Sequence, residues 1–415
     1  MKTAGTFHQR LISAIGKSGL SPRALTAGEC QDPARNRCRI CHAAVLSYPD
    51  EVQLKTSVFR DFWGDLGQEC RPDPLIPSPQ GRHYRMVTKR KVFVRGRRLT
   101  LGLIDPGHPH PFTAVACAIE PPDHGAIYAH LQNTVNAPWA EPLARELQYA
   151  VIRGNEREFT VILNVRTLTG GLIRTGNTLS KSLTGGCAKV TAVFLFEGGE
   201  EDRYYMGGTD PIVPKRFRKL FGDAEVFQEI GARKFLYSPF SFSQVNHSIL
   251  PVFLETAERL LGPRKEQHLY DLYCGYGLFS LSFAPQYGRV TGIEMSHVSV
   301  TSAIGNAHRR KAHNVRFLRS SVNAGSIGPL MSALSQADAV LLDPPRGGTG
   351  PAVVEEIAAR RPRNVLHIFC NIDILQSDLA RWSSGGYRVA NVVPFDMFPG
   401  TSDLEIMVLL RPDPL

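Results

Sequence analysis

After Ser238 the chain alternates apolar, strand-like runs with helical ones, and no other feature of the sequence constrains the fold as much. The helical run NHSILPVFLETAERLL leads into HLYDLYCGYG, VTGIEMS, NVRFLRS, ADAVLLDPPRGG, NVLHIFCN and LEIMVLLRP. Strands separated by helices pair in parallel across helical crossovers, so residues 238–415 are expected to form an α/β domain with a doubly wound, mostly parallel sheet. Open sheets of this kind bind ligands at the carboxyl ends of their strands, and those ends are where the chemistry is sought.

Asp271-Leu-Tyr273-Cys-Gly-Tyr-Gly closes one such strand in a glycine-rich turn, where the backbone can approach a ligand that a Cβ would exclude. The next strand ends in Glu294, about twenty residues on, placed to accept the ribose hydroxyls of an adenosine. Two glycines without the third, helix-packing one lean toward AdoMet over a dinucleotide. Asp343-Pro-Pro-Arg346 closes the fourth strand, and two prolines stiffen its loop. The strand after it ends in Cys370. A free cysteine is often only an apolar filler, but a strand end followed by polar Asn371 favours a reactive one. Glu405 starts the last strand among Leu404, Ile406, Met407 and Val408, a setting that raises a carboxyl and suits it to act as a base.

The first half reads differently. Residues 1–28 contain no acid and are expected to be a loose basic extension; residues 29–237 are expected to form an α+β region that bears a cysteine cluster and binds nucleic acid. A helix is expected over Val52–Trp63. From Arg82 to Arg98 eight of seventeen residues are Lys or Arg, in an alternating pattern that turns at Arg95-Gly96-Arg97, with Tyr84 and Phe93 interleaved. The runs FTVILNV, KVTAVFLFEG and DRYYMGG, separated by glycine-rich stretches, are expected to form an antiparallel sheet. With 48 Lys and Arg against 38 Asp and Glu, the net charge of +10 suits a polyanionic partner, nucleic acid first. No apolar run reaches the eighteen or so residues that span a bilayer, and the start lacks the apolar core of a secretory signal, so a cytoplasmic location is expected.

Taken together, FSFSQVN (Phe242, Gln244, Asn246), DLYCGYG, GIE, DPPR, CN and DMFP-x-T-x-x-x-E resemble the RNA (uracil-5-)-methyltransferases, which make 5-methyluridine in tRNA and large-subunit rRNA. The resemblance covers nearly the whole chain from Cys30. It implies a Rossmann-like AdoMet methyltransferase domain in which Gln244, Tyr273, Glu294 and Asp343 bind AdoMet, Cys370 is the nucleophile and Glu405 the base. Gln244 and Asp343 are also candidates to touch the uracil edge. Uracil C5 is too weak a nucleophile to take a methyl group directly; a thiolate added at C6 makes it an enolate that can. Two departures stand out. The family has Cys-Asn-Pro and DMFPHT where this chain has Cys370-Asn371-Ile372 and Gly400, which is expected to loosen the loop behind the nucleophile and to remove an imidazole near the base.

Eight cysteines without a secretory signal point to metal or catalytic use. Cys30-x7-Cys38-x2-Cys41 admits three readings: c-type haem attachment at Cys38–His42, zinc, or an iron–sulfur cluster completed by a distant thiolate. The resemblance favours a [4Fe-4S] cluster with Cys117 as the fourth ligand and Cys70 as the alternative. It also points to 23S rRNA as the RNA, with the loop uridine flipped out of its stack and the basic strand pair holding phosphates. Rival readings are the same reaction on tRNA, an iron–sulfur RNA-binding protein that has lost catalysis, and a small-molecule C-methyltransferase. No obligate protein partner is implied.

Overall fold

Along the strands of the second half, successive residues fall alternately into two separate buried clusters, as in a sheet covered on both faces. Tyr270, Leu272, Val340 and Leu342 face one core; Leu269, Ala339, Leu341 and Leu366 face the other. The computed structural model describes residues 5–20, 25, 30, 38, 40–103, 112–114, 116–198 and 217–414.

The first half is built on a seven-stranded sheet. Its strands are β1 (Val87–Arg95), β2 (Arg98–Leu103), β3 (Phe112–Thr113), β4 (Leu147–Gly154), β5 (Phe159–Val165), β6 (Val190–Glu197) and β7 (Phe217–Gly222), in the order β3-β2-β1-β4-β5-β6-β7. β1 and β2 are the expected basic hairpin, turning through Gly96 in the left-handed region at φ 66°. β5 and β6 run parallel, not antiparallel as the glycine-rich spacing suggested. The stretch between them is a helix, Gly170–Gly186, capped by Thr169, with Leu172, Gly176, Leu179 and Leu183 buried along one face. Five glycines masked that helical period; tertiary packing overrode their low propensity. The run DRYYMGG lies outside the described residues. A small hairpin, β8 (Val226–Ile230) and β9 (Arg233–Tyr237), leads into the second half.

There the strands are β10 (His268–Leu272), β11 (Arg289–Glu294), β12 (Val315–Arg319), β13 (Ala339–Leu342), β14 (Asn364–Phe369), β15 (Tyr387–Phe395) and β16 (Glu405–Pro412), ordered β12-β11-β10-β13-β14-β16-β15. β10 to β14 are parallel; β16 returns antiparallel between β14 and β15. This is the expected doubly wound sheet. Helices Leu250–Leu261 and Leu278–Phe283 cover one face; Pro351–Arg360 and Leu375–Ser384 cover the other.

Two N-terminal helices complete that second face. α1 (Phe7–Lys17) occupies much of the segment expected as a loose extension; Lys2 and Arg23 of that segment lie outside the described residues. Thr6 and Gln9 form a capping box at its start. Its Phe7 and Leu11 are buried against Phe59, Phe62 and Trp63 of α2 (Tyr48–Asp65), the helix expected from the sequence. Apolar spacing at i and i+4 docked what charge composition alone suggested was solvated.

Candidate active site

The sheet changes direction between β10 and β13, and the crevice at their carboxyl ends is where the site residues gather. Tyr273 leaves β10 at φ 66°, followed by Gly275 (φ 55°) and Gly277 (φ 86°), and the chain then enters helix Leu278–Phe283. A Cβ on Gly277 would stand 2.9 Å from the Phe317 ring, so glycine is required there by both space and backbone. Asp271, fully buried, ties strand to helix: its Oδ2 accepts from Ser280 N at 2.9 Å and Ser280 Oγ at 2.5 Å. The Tyr273 hydroxyl is 2.8 Å from Thr349 Oγ1. Glu294 is held by Gly275 N at 3.2 Å and Ser296 N at 2.7 Å, one on each carboxylate oxygen. Burial raises this carboxyl and the hydrogen bonds oppose it.

Next along the sheet edge, Gln244 Nε2 donates to Asp343 Oδ2 at 3.4 Å. Burial, then the charge of Asp271, pushes Asp343 up to about 7. The register that pairs Phe369 with Ile406 brings Cys370, one residue on, opposite Glu405. Thus a thiol and a carboxyl, 35 residues apart in sequence, become cross-strand neighbours. Burial, then the charges of Glu405 and Asp343, pushes Cys370 up to about 12. Burial, then Asp343, raises Glu405 well above the carboxylate range, against the pull of Arg346. The structure therefore brings Gln244, Tyr273, Glu294, Asp343, Cys370 and Glu405 to one edge of one sheet.

Arg346, the last residue of the DPPR motif, also reaches the site. It pairs with Asp403 at 3.0 Å and its charge bears on both Cys370 and Glu405. Arg153 carried no sequence signal at all. It is fully buried on β4, and it donates to Pro239 O (2.5 Å), Ser241 O (2.7 Å) and Ser243 Oγ (2.6 Å), holding the segment that ends in Gln244.

Ile372 does not loosen the loop behind Cys370. Its side chain is buried in the core, Asn371 Oδ1 accepts from Asp373 N, and Asn371 Nδ2 donates to Arg346 O. Packing and a side-chain cap do there what proline's fixed φ would do. Gly400 sits at φ 84°, where an L side chain is strained, so an imidazole has no comfortable place on this backbone.

Cys30, Cys38, Cys41 and Cys117 line one small, mostly apolar cavity with Leu25, Leu103 and Phe112. A hydrogen bond with Cys41 is the chief cause that holds the half-buried Cys117 thiol below its usual value, toward the thiolate a metal site requires. Among the described residues no three Cys, His, Asp or Glu converge tightly enough for a single ion. Cys70 lies apart, its thiol 3.5 Å from Ala390 O beside β15. The donor set and its enclosure fit an iron–sulfur cluster.

The basic hairpin is corrected in part. Arg90 is fully buried in a two-armed pair with Glu120 at 2.8 and 2.5 Å and donates to Ala114 O, so it has no phosphate to reach. Tyr84 is buried with its hydroxyl on Pro399 O, unable to stack on a base. Lys89 and Lys91 are half-buried, the Lys89 ammonium 4.8 Å over the Tyr149 ring. Arg95, Arg97 and Arg98 at the tip are exposed. A second exposed set, missed in the sequence, is Phe217, Arg218, Lys219 and Phe221 on edge strand β7.

A crevice with a glycine-rich turn, a strand-end acid and a strand-end proline loop is the arrangement of an AdoMet methyltransferase. A family model described as tRNA (Uracil-5-)-methyltransferase matches residues 223–412. An uncharacterised RNA methyltransferase of Halalkalibacterium halodurans is 32% identical over 408 residues, covering 92% of this chain and 83% of that protein. The 23S rRNA (uracil(747)-C(5))-methyltransferase RlmC of Vibrio vulnificus is 26% identical over 388 residues, covering 90% and 96%. In fold the chain matches the Pyrococcus abyssi tRNA (uracil-54, C5)-methyltransferase, solved with S-adenosyl-L-homocysteine, at a TM-score of 0.67 and 18% identity, covering 89% of this chain and 85% of that one. The chain belongs to the RNA (uracil-5-)-methyltransferase family and is AdoMet-dependent.

Proposed function

We propose that this enzyme methylates C5 of an unpaired uridine in 23S rRNA through a covalent adduct between Cys370 and C6. The observation that carries this reading is the cross-strand placement of Cys370 against Glu405, beside Asp343 and Gln244. In the proposed sequence the Cys370 sulfur bonds to C6 and the C5=C6 electrons move toward O4. C5 then takes the methyl group from the AdoMet sulfonium, releasing S-adenosylhomocysteine. Glu405 removes the C5 proton, the double bond re-forms and the sulfur leaves with the electron pair of the C6–S bond.

A thiol pushed up to about 12 holds almost no thiolate at neutral pH, so its proton moves to the ring oxygen as the sulfur attacks and leaves to solvent when C5 takes the methyl group and the C4 carbonyl re-forms. Tyr273 and Glu294 hold the adenosine end of AdoMet, while Gln244 and Asp343 lie between AdoMet and the uracil edge. Cys30, Cys38, Cys41 and Cys117 would hold a [4Fe-4S] cluster, which would supply a structural brace or an electron-transfer centre. The exposed arginines of the β1–β2 tip, with Phe217 and Phe221 on β7, suit phosphates and unstacked bases.

What favours rRNA is the cysteine cluster of the resemblance together with the likeness to an rRNA enzyme; the likeness in fold to a tRNA enzyme makes tRNA the second reading. The test is incubation with tritiated AdoMet and separate rRNA and tRNA lacking 5-methyluridine, followed by nucleoside mapping. Label as 5-methyluridine at one 23S loop supports the proposal; label in tRNA alone overturns the substrate. Absence of label in either overturns catalysis.

A further inference from the structure

Glu51 and Lys55 of α2, far in sequence from the reacting groups, form with Asp396 a group of three charged side chains with no solvent exposure. Lys55 Nζ lies 2.7 Å from Glu51 Oε1 and 2.8 Å from Asp396 Oδ1. Arg82 adds a pair with Glu51 Oε2 at 3.0 Å. Burying charges is costly, and apolar groups of the same volume commonly stabilise a fold as well or better. Such a group therefore calls for an explanation in what it holds.

What it holds is the connection between β15 and β16. Phe395 and Glu405 are paired in register, so residues 396–404 form a closed loop whose last step is Glu405. Glu51 Oε1 accepts from Gly400 N at 2.5 Å, deep inside the protein, while Gly400 O accepts from Ala43 N at 2.9 Å. Tyr84 Oη donates to Pro399 O, and Asn246 Nδ2 donates to Met397 O. Beyond this clamp the chain turns through Thr401, whose Oγ1 accepts from Asp403 N, and reaches the Asp403–Arg346 pair and Glu405. Lys55 bridges the two carboxylates, Arg82 supplies the second positive charge, and together they fix the Glu51 rotamer that meets Gly400.

We propose that Glu51, Lys55 and Asp396 are positioning residues for proton removal, fixing the 396–404 loop so that Glu405 faces the Cys370 adduct. This rests on the reading of Glu405 as the base. In the step they serve, the C5–H bond breaks with its proton passing to the Glu405 carboxylate. The C5=C6 bond re-forms and the C6–S bond breaks, returning the electron pair to the Cys370 sulfur. Displacing the loop slows this step and leaves the earlier attack and methyl transfer intact.

The experiment follows the methylated enzyme–RNA adduct on denaturing gels in a single turnover, with AdoMet affinity and urea unfolding measured alongside. The clamp is removed by the apolar replacement Glu51→Met, Lys55→Met, Asp396→Leu, with the milder Asp396→Asn as a second variant and Glu405→Gln as reference. The triple variant is expected to bind AdoMet within about twofold of wild type and form adduct at a similar rate, but to release it at least about tenfold more slowly. Asp396→Asn is expected to slow release by a smaller factor. Accumulation in Glu405→Gln but not in the clamp variants overturns this proposal and keeps the base. A lack of accumulation in Glu405→Gln overturns the base assignment itself. Equal loss of adduct formation and release in the clamp variants assigns the group a merely structural role. Should the triple variant not fold, unchanged release in Asp396→Asn is the refuting result.

Discussion

Replacing Arg153 by methionine tests whether the first sheet sets the geometry of the AdoMet crevice. Its guanidinium is buried on β4 and donates to two backbone carbonyls and one hydroxyl within residues 239–243, immediately before Gln244. Methionine fills a similar volume and donates nothing. Each buried acceptor left without its donor costs about 1–3 kcal/mol, so three lost bonds amount to roughly 3–9 kcal/mol. Removing a buried guanidinium returns several kcal/mol of its own desolvation cost. A net loss of about 2–4 kcal/mol follows, divided between global stability and the local order of the loop. Equilibrium urea unfolding should register the first part. The second should appear as a rise of about tenfold in the AdoMet dissociation constant by calorimetry, equivalent to about 1.4 kcal/mol, because Gln244 no longer stands firmly against Asp343. Stability within about 1 kcal/mol of wild type with unchanged AdoMet affinity would refute the reasoning. It would mean that the packing of Phe240 against Phe194, Phe196 and Phe217 holds the loop without the arginine.

Three further outcomes follow from the site. Burial pushes Asp343 up to about 7, so its carboxylate form, the one able to accept from a uracil N–H, is lost as the pH falls below that value. Single-turnover methyl transfer should drop on the acid side of about pH 7 and level off above it; a continued tenfold rise per pH unit toward the Cys370 value of about 12 would show instead that free thiolate is the attacking species. Cys117→Ser should abolish iron binding and the visible absorbance of the reconstituted cluster, whereas Cys70→Ser should leave both intact; the reverse pattern would exchange the fourth ligand. Neutralising Arg95, Arg97 and Arg98 together should weaken RNA binding and flatten its salt dependence by up to about three phosphate contacts, as measured from the slope of log affinity against log salt. Arg90→Met should instead lower stability by leaving Glu120 buried and unpaired, with the salt slope unchanged.

The alternation of apolar strands and helices after Ser238 determined the doubly wound sheet, because strand and helix periods are local and each strand is buried on both faces. The same locality made the strand-end residues legible: Tyr273, Glu294, Asp343 and Cys370 each follow an apolar run, and topology delivers every such end to one crevice. Glu405 was legible for a related reason, since a carboxylate at the start of an apolar strand is desolvated wherever that strand lies. Its position opposite Cys370 was not, because antiparallel register is a tertiary property. Charge was the least legible feature. Arg90, Arg153 and Lys55 look in sequence like Arg95 or Arg97, yet three are buried and two exposed. Burial of a long cationic side chain is decided by partners remote in the chain: Glu120 for Arg90, the 239–243 carbonyls for Arg153, Asp396 for Lys55. Likewise spacing left Cys70 as an alternative to Cys117, and only the tertiary structure puts Cys117 on the same cavity as Cys30, Cys38 and Cys41. A sequence records what each residue can do; which of its polar groups meet water and which meet one another is fixed when the chain closes on itself.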